Sequence, residues 1–112
     1  MDEKTTVDRI RALNDAARRH SSGICRIFLT RGIADLPVAD QQIIMSRVAA
    51  FDDFTEDNDP WGEHDFGSFE YDGQTIFWKI DYYDLLMRNA SRDPADPAAT
   101  QRVLTVMFAY EY

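Results

Sequence analysis

A single cysteine, Cys25, leaves the chain unable to close an internal disulfide. It sits in the apolar run ICRIFL, where a buried and inert thiol is the expected state. No apolar run approaches the ~20 residues a membrane-crossing helix requires. The acidic, polar opening MDEKTTVDRI also lacks the basic-then-apolar order of a secretory signal, so a cytoplasmic protein is expected. Glycine and proline are sparse, five and four in 112 residues, and no repeat or low-complexity linker divides the chain. One domain over residues 1–112 follows, large enough to bury roughly two thirds of its unfolded surface. The most local scarcity is of positive charge: FDDFTEDNDPWGEHDFGSFEYDG, residues 51–73, holds nine carboxylates and neither lysine nor arginine.

The net charge of −8 is therefore uneven. Residues 1–50 carry six acids against eight bases, and residues 51–112 carry fourteen acids against four bases. Such a C-terminal half repels nucleic acids and anionic membranes and attracts cations and basic protein surfaces. Direct binding to nucleic acid or to a membrane is not expected.

From Thr5 to His20 the apolar residues Val7, Ile10, Leu13 and Ala17 recur at three- and four-residue intervals, one face of an amphipathic helix. Thr5 with Asp8 reads as a capping box, and Ser21-Ser22-Gly23 as the stop. Arg9, Arg11, Arg18 and Arg19 read as the solvated side. Ile24 to Thr30 predicts a strand buried on nearly both faces. Pro37 fits the first turn of a second helix with the stripe Ile44, Val48, Phe51. Asp72-Gly73 is a two-residue hairpin turn, because glycine takes positive φ without penalty. Counting outward pairs Tyr71 with Gln74, Phe69 with Ile76, Gly67 with Trp78 and, if the ladder extends, His64 with Asp81. Ile76, Trp78, Ile80 and Tyr82 then share the helix-facing side with Phe69 and Tyr71. The other side is mostly polar and wet, Phe77 being the exception. A short helical turn over Asp84–Ala90, a stiff loop at Asp93-Pro94 and Asp96-Pro97, and a final strand in RVLTVMFAYEY complete the order α-β-α-β-β-β. The fold class is α+β: a mostly antiparallel sheet of about four strands with two helices on one face.

The stretches NDPWGEHDFG (58–67), FWKIDYYD (77–84) and DPADPAATQRVLTVMFAYEY (93–112) resemble a family of small bacterial proteins of unknown function. The resemblance implies a single-domain bacterial cytosolic protein of a kind often carried on plasmids and other mobile elements. It brings no catalytic residues with it.

Three chemistries compete for the acidic stretch. EF-hand spacing fails: a loop beginning at Asp57 places Asp59 and Gly62 correctly but has Trp61 at position five and Ser68 at position twelve. An irregular cation site and a solvated loop stay open. Glu63-His64-Asp65 offers an imidazole near neutral pH, but alternation on an extended chain turns its neighbours away from His64. A His64–Asp81 contact then pins the hairpin base or orients a catalytic imidazole, with no nucleophile placed by any motif. Two histidines, His20 and His64, and one cysteine match no zinc spacing, so neither metal nor cofactor is expected. Trp61 lies after a proline, outside any periodic segment. It either folds back onto the domain or anchors a partner.

The leading reading is a non-enzymatic inhibitor whose Asp52, Asp53, Glu56, Asp57, Asp59 and Glu63, with Trp61, occupy a basic groove in place of DNA or RNA phosphates. By analogy with small acidic proteins of mobile elements, the target is a host defence system such as CRISPR or restriction. The alternative is a small enzyme or a metal- or ligand-binding domain centred on His64 and Asp81, with Glu63 and Asp65 beside them and a divalent cation as a candidate ligand. A third, an antitoxin or homodimeric accessory protein, sets the Arg9–Arg19 helix against the acidic half of a second copy; the chain is a monomer or a homodimer.

Overall fold

In the computed structural model, which describes residues 2–20 and 25–112, helix α1 (Glu3–His20) leads into strand β1 (Cys25–Leu29). A single-turn helix α2 (Arg31–Ala34) and helix α3 (Val38–Ala50) follow. Strands β2 (Phe66–Tyr71), β3 (Gln74–Tyr83) and β4 (Gln101–Phe108) then precede a closing 3-10 turn at Ala109–Glu111. The expected helix stop at Ser21–Gly23 and the expected strand start at Ile24 lie outside the described residues.

The N-terminal cap is Asp2 rather than Thr5: Thr5 N–H donates to Asp2 Oδ1 at 2.8 Å, satisfying one of the unpaired amides of the first turn. Pro37 stands immediately before α3, whose missing amide costs nothing there. No helical turn forms over 84–90. Asp84 instead accepts the Arg88 N–H, and Tyr83 bridges Ala90.

The hairpin register is the one that counting from Asp72-Gly73 predicts, with Tyr71 against Gln74, Phe69 against Ile76 and Gly67 against Trp78. Asp72 and Gly73 both have positive φ, 51° and 78°. The sheet order is β1-β4-β3-β2: two ladders are antiparallel, and β1 runs parallel to β4. β1 is thus an edge strand. Its Arg26, Ile27 and Phe28 are exposed, which corrects the expectation of burial on nearly both faces. An apolar run shows that a strand is favoured, but its place in the sheet is fixed by which strands come to pair with it.

Ala17, Ile33, Ile44 and Val48 from the helical layer meet Ile76, Trp78, Ile80, Leu104, Val106 and Phe108 from one side of the sheet. Trp78 is fully buried and lies across Gly67, with Phe51 and Phe54 edge-on to its ring at 5.6 and 6.2 Å. On the other side, Phe77 is accounted for by Phe66 and Tyr112, whose ring centroids lie 5.2 and 5.9 Å away. At the end of the chain, Glu111 accepts from Thr30 Oγ1 at 2.6 Å, Gly32 N–H at 2.9 Å and Phe108 N–H at 3.0 Å, tying β4 to the start of α2.

Candidate functional site

The connection from α3 to β2 is a shaped loop. Thr55 N–H donates to Asn58 Oδ1 at 2.8 Å, Asn58 Nδ2 donates to Asp53 O at 2.7 Å, and Asp59 N–H donates to Thr55 O at 2.8 Å. These bonds consume main-chain groups and the Asn58 amide. The carboxylates of Asp52, Asp53, Glu56 and Asp57 remain exposed, and Trp61 is 79% exposed.

The loop is seated on α1 by arginines that the helical periodicity assigns to solvent. Arg11 Nε donates to Gly62 O at 2.6 Å while its Nη1 pairs with Asp8 at 3.2 Å. Arg18 is buried. Its Nη1 donates to Val48 O at 2.8 Å and Phe51 O at 3.0 Å, and its Nη2 to Asp15 Oδ1 at 2.7 Å, while Nε finds no partner among the described residues. Its guanidinium lies over the Trp78 and Phe54 rings at 4.8 and 5.3 Å. Only Arg9 and Arg19 keep the exposed position expected of all four.

His64 and Asp81 do not meet. His64 has φ 56°, which takes it out of the strand before the ladder begins at Phe66. Its ring stacks on Phe54 with centroids 3.6 Å apart and an interplanar angle of 4°. Its Nδ1 lies 2.9 Å from Asp15 Oδ1; an ionised carboxylate only accepts, so Nδ1 carries the hydrogen. Its Nε2 is 3.6 Å from Asp59 Oδ2, beyond hydrogen-bond range. Asp81 pairs instead with Lys79 at 2.8 Å. Burial pushes the Asp15 carboxyl up, but hydrogen bonds from Arg18 and His64 outweigh it and hold the group below the usual carboxylate range. Among the described residues no cluster of three or more His, Cys, Asp or Glu is arranged to hold a metal ion.

Asp59 and Glu63 face inward rather than outward. The Asp59 side chain is 6% exposed and accepts the His64 N–H at 3.2 Å. Glu63 Oε1 accepts the Tyr82 hydroxyl at 2.7 Å. Burial, then the Glu63 bond, push the Tyr82 phenol well above its ordinary range. Asn14 Nδ2 donates to both Tyr82 Oη and Glu63 O, and Arg102 Nε donates to Asn14 Oδ1 at 2.8 Å. The Arg102 guanidinium reaches Pro94 O at 2.5 Å. One buried polar chain thus joins α1, β3, β4 and two loops. Its sequence signal was faint: Asn14 sits one position from Leu13 on the apolar stripe, and Arg102 falls at an inward position of the alternating last strand. Cys25 is half-buried, and burial keeps its thiol up and protonated.

A family model described as "Protein of unknown function (DUF3768)" matches residues 29–111. The chain belongs to that family. No curated protein and no solved structure matches it. The DUF3768 span takes in the acidic loop, the hairpin and β4, and leaves α1 outside, so Asp15, Arg18 and Asn14 hold the DUF3768 loop from beyond the matched segment.

Asp65 is the strained member of the group. Burial raises its carboxyl above the usual range, and the Glu63, Asp59 and Asp81 charges add to the shift. The raised value belongs to the folded state. The penalty is therefore absent below the unfolded value of about 3.9, grows as pH rises towards the folded value and is complete above it. Asp65→Asn is expected to raise the melting temperature at neutral pH and to leave it unchanged near pH 3, read from thermal unfolding at the two pH values.

Proposed function

We propose that the chain is a small acidic binding protein that presents Asp52, Asp53, Glu56, Asp57 and Trp61 to a basic surface of another protein. What supports the reading is that these carboxylates are exposed and, among the described residues, in no ion pair, while Arg11 and Arg18, which seat the loop on α1, are spent on main-chain carbonyls and on Asp8 and Asp15, and Arg47 donates to Glu70 O. The exposed indole beside them supplies apolar contact area of the kind that dominates interface energetics. Asp59 and Glu63 have no part in the surface; they hold the loop's shape.

In its finer form, the basic surface is a nucleic-acid groove and the loop stands in for phosphates. The chain then inhibits a bacterial enzyme that handles nucleic acid, as in restriction or CRISPR-type defence. Affinity for such a partner falls with salt, by roughly tenfold or more between about 50 and 200 mM. The triple variant Asp53→Lys, Glu56→Lys, Asp57→Lys loses binding with its melting temperature preserved. Equal affinity at both salt concentrations, or an unaffected triple variant, overturns the reading. The inhibitory form is checked by DNA cleavage assays with the candidate target, in which the chain slows cleavage and the triple variant does not.

A further inference from the structure

We propose that the outer edge of β2 and the groove beside it receive an extended, basic segment of the partner protein, which adds to the sheet as a strand next to β2. The inference rests on the acidic-face reading and specifies the partner's backbone shape and side-chain chemistry.

In a two-residue hairpin the residues flanking the turn exchange hydrogen bonds, and alternate residues turn their main-chain groups the other way. Tyr71, Phe69 and Gly67 therefore bond to β3, and the Ile80 N–H to Asp65 O bond at 2.8 Å continues the same parity. The N–H and C=O groups of Phe66, Ser68 and Glu70 point away from the sheet. Arg47 confirms the direction, since its Nη1 donates to Glu70 O at 2.6 Å from outside the ladder. That bond closes the turn end of the edge. The open run is Phe66 to Ser68, and Ser68 is exposed.

A groove of about 390 Å³ lies between this run and the end of α3, bordered by Arg47, Ala50, Phe51, Asp52, Asp53, Ser68 and Phe69. A strand added to β2 points alternate side chains toward the helical layer. There the groove offers the Phe51 ring and the carboxylates of Asp52 and Asp53, while Arg47 lies over the Phe69 ring. An apolar stem with a cationic head, lysine or arginine, matches that order of surfaces. The Arg47 guanidinium, 4.4 Å from the Phe69 centroid, already takes that ring, so the incoming cation is left Phe51 with Asp52 and Asp53. Main-chain bonds provide affinity and the groove provides selectivity, the division of labour typical of strand addition. A second copy is a poor occupant, because each copy carries −8.

The test uses the full chain and a labelled, end-blocked hexapeptide of alternating lysine and threonine, followed by fluorescence anisotropy at low ionic strength. Its control is the same peptide N-methylated at alternate residues, which keeps the charge and removes the strand-forming amides. The control is expected to bind at least about tenfold more weakly, equivalent to the one or two hydrogen bonds removed. Ser68→Pro, which removes an outward N–H that β3 does not use, is expected to weaken the parent peptide to a similar extent at an unchanged melting temperature. If Ser68→Pro fails to fold, the N-methylated peptide on the unaltered chain carries the test. Equal affinity for the two peptides, or no binding of the parent peptide, overturns the proposal. Binding that Asp52→Lys with Asp53→Lys abolishes but N-methylation leaves intact removes the strand and keeps the acidic face. Binding that needs the amides but ignores the charge reversal removes the acidic face and the basic occupant together.

Discussion

Replacing Arg18 with alanine is expected to lower the unfolding free energy by about 3–5 kcal/mol, the range for breaking a buried, hydrogen-bonded charge pair. Arg18 is 2% exposed and works at three places simultaneously. It donates to Val48 O and Phe51 O at the end of α3, where carbonyls lack intrahelical partners and the helix dipole favours a cation. It holds Asp15, which in turn holds His64. It also fills the space between the Phe54 and Trp78 rings. Truncation leaves carbonyls and a carboxylate short of donors and opens a cavity beside Trp78. The melting temperature should fall by about 10 °C or more for a domain of this size, followed by circular dichroism. Arg18→Met refills the space without the donors and is expected to recover part of the loss. A variant as stable as the parent would show that Arg18 contributes neither as a cap nor as packing.

The second large effect is expected at Gly67. A Cβ built there comes within 2.5 Å of Trp78 Cε2 and 2.7 Å of Cζ2, and nearer still to Nε1. The strand backbone is held by β3 and the indole is fully buried, so neither side yields readily. Among the described residues Trp78 Nε1 has no hydrogen-bond partner, which fits an indole placed by shape rather than by its polar atom. Gly67→Ala is expected to cost about 3 kcal/mol, the upper part of the range for overpacking a core. Trp78→Phe shortens the ring and should make the alanine cheaper, giving a coupling energy of about 1–2 kcal/mol in a double-mutant cycle by urea unfolding. Additive costs would refute the steric account.

The hairpin was legible because a turn of fixed length sets register by counting, and Asp72-Gly73 admits few alternatives. The helices were legible from their apolar spacing, as was the helix-facing side of β3. What stayed hidden depends on partners far away along the chain. Periodicity treats every arginine of α1 alike, yet Arg18 reaches α3 carbonyls some thirty residues on, while Arg19 beside it stays in solvent. Alternation puts His64 on an extended strand, but its positive φ turns it toward Asp15, a residue with no local signal as a partner. The inward turn of Asp59 and Glu63 has the same origin: a run of acids reads as uniformly solvated, whereas a loop must use some of its own carboxylates to satisfy its amides and hydroxyls.

The parallel pairing of β1 with β4 brings together segments from opposite ends of the chain, Cys25 beside Arg102 and Leu29 beside Val106. β4 also lies between β1 and β3, so a growing chain that has emerged only as far as the hairpin holds its first strand with no neighbour on either side. Closing so long a loop is costly before any contact repays it, and sheets dominated by such pairings assemble slowly. Until β4 arrives, Cys25 and Leu29 of β1 and the Ile76, Trp78 and Ile80 side of the hairpin lack Leu104 and Val106 as neighbours, and the interval between synthesis and closure is when this protein is most open to aggregation.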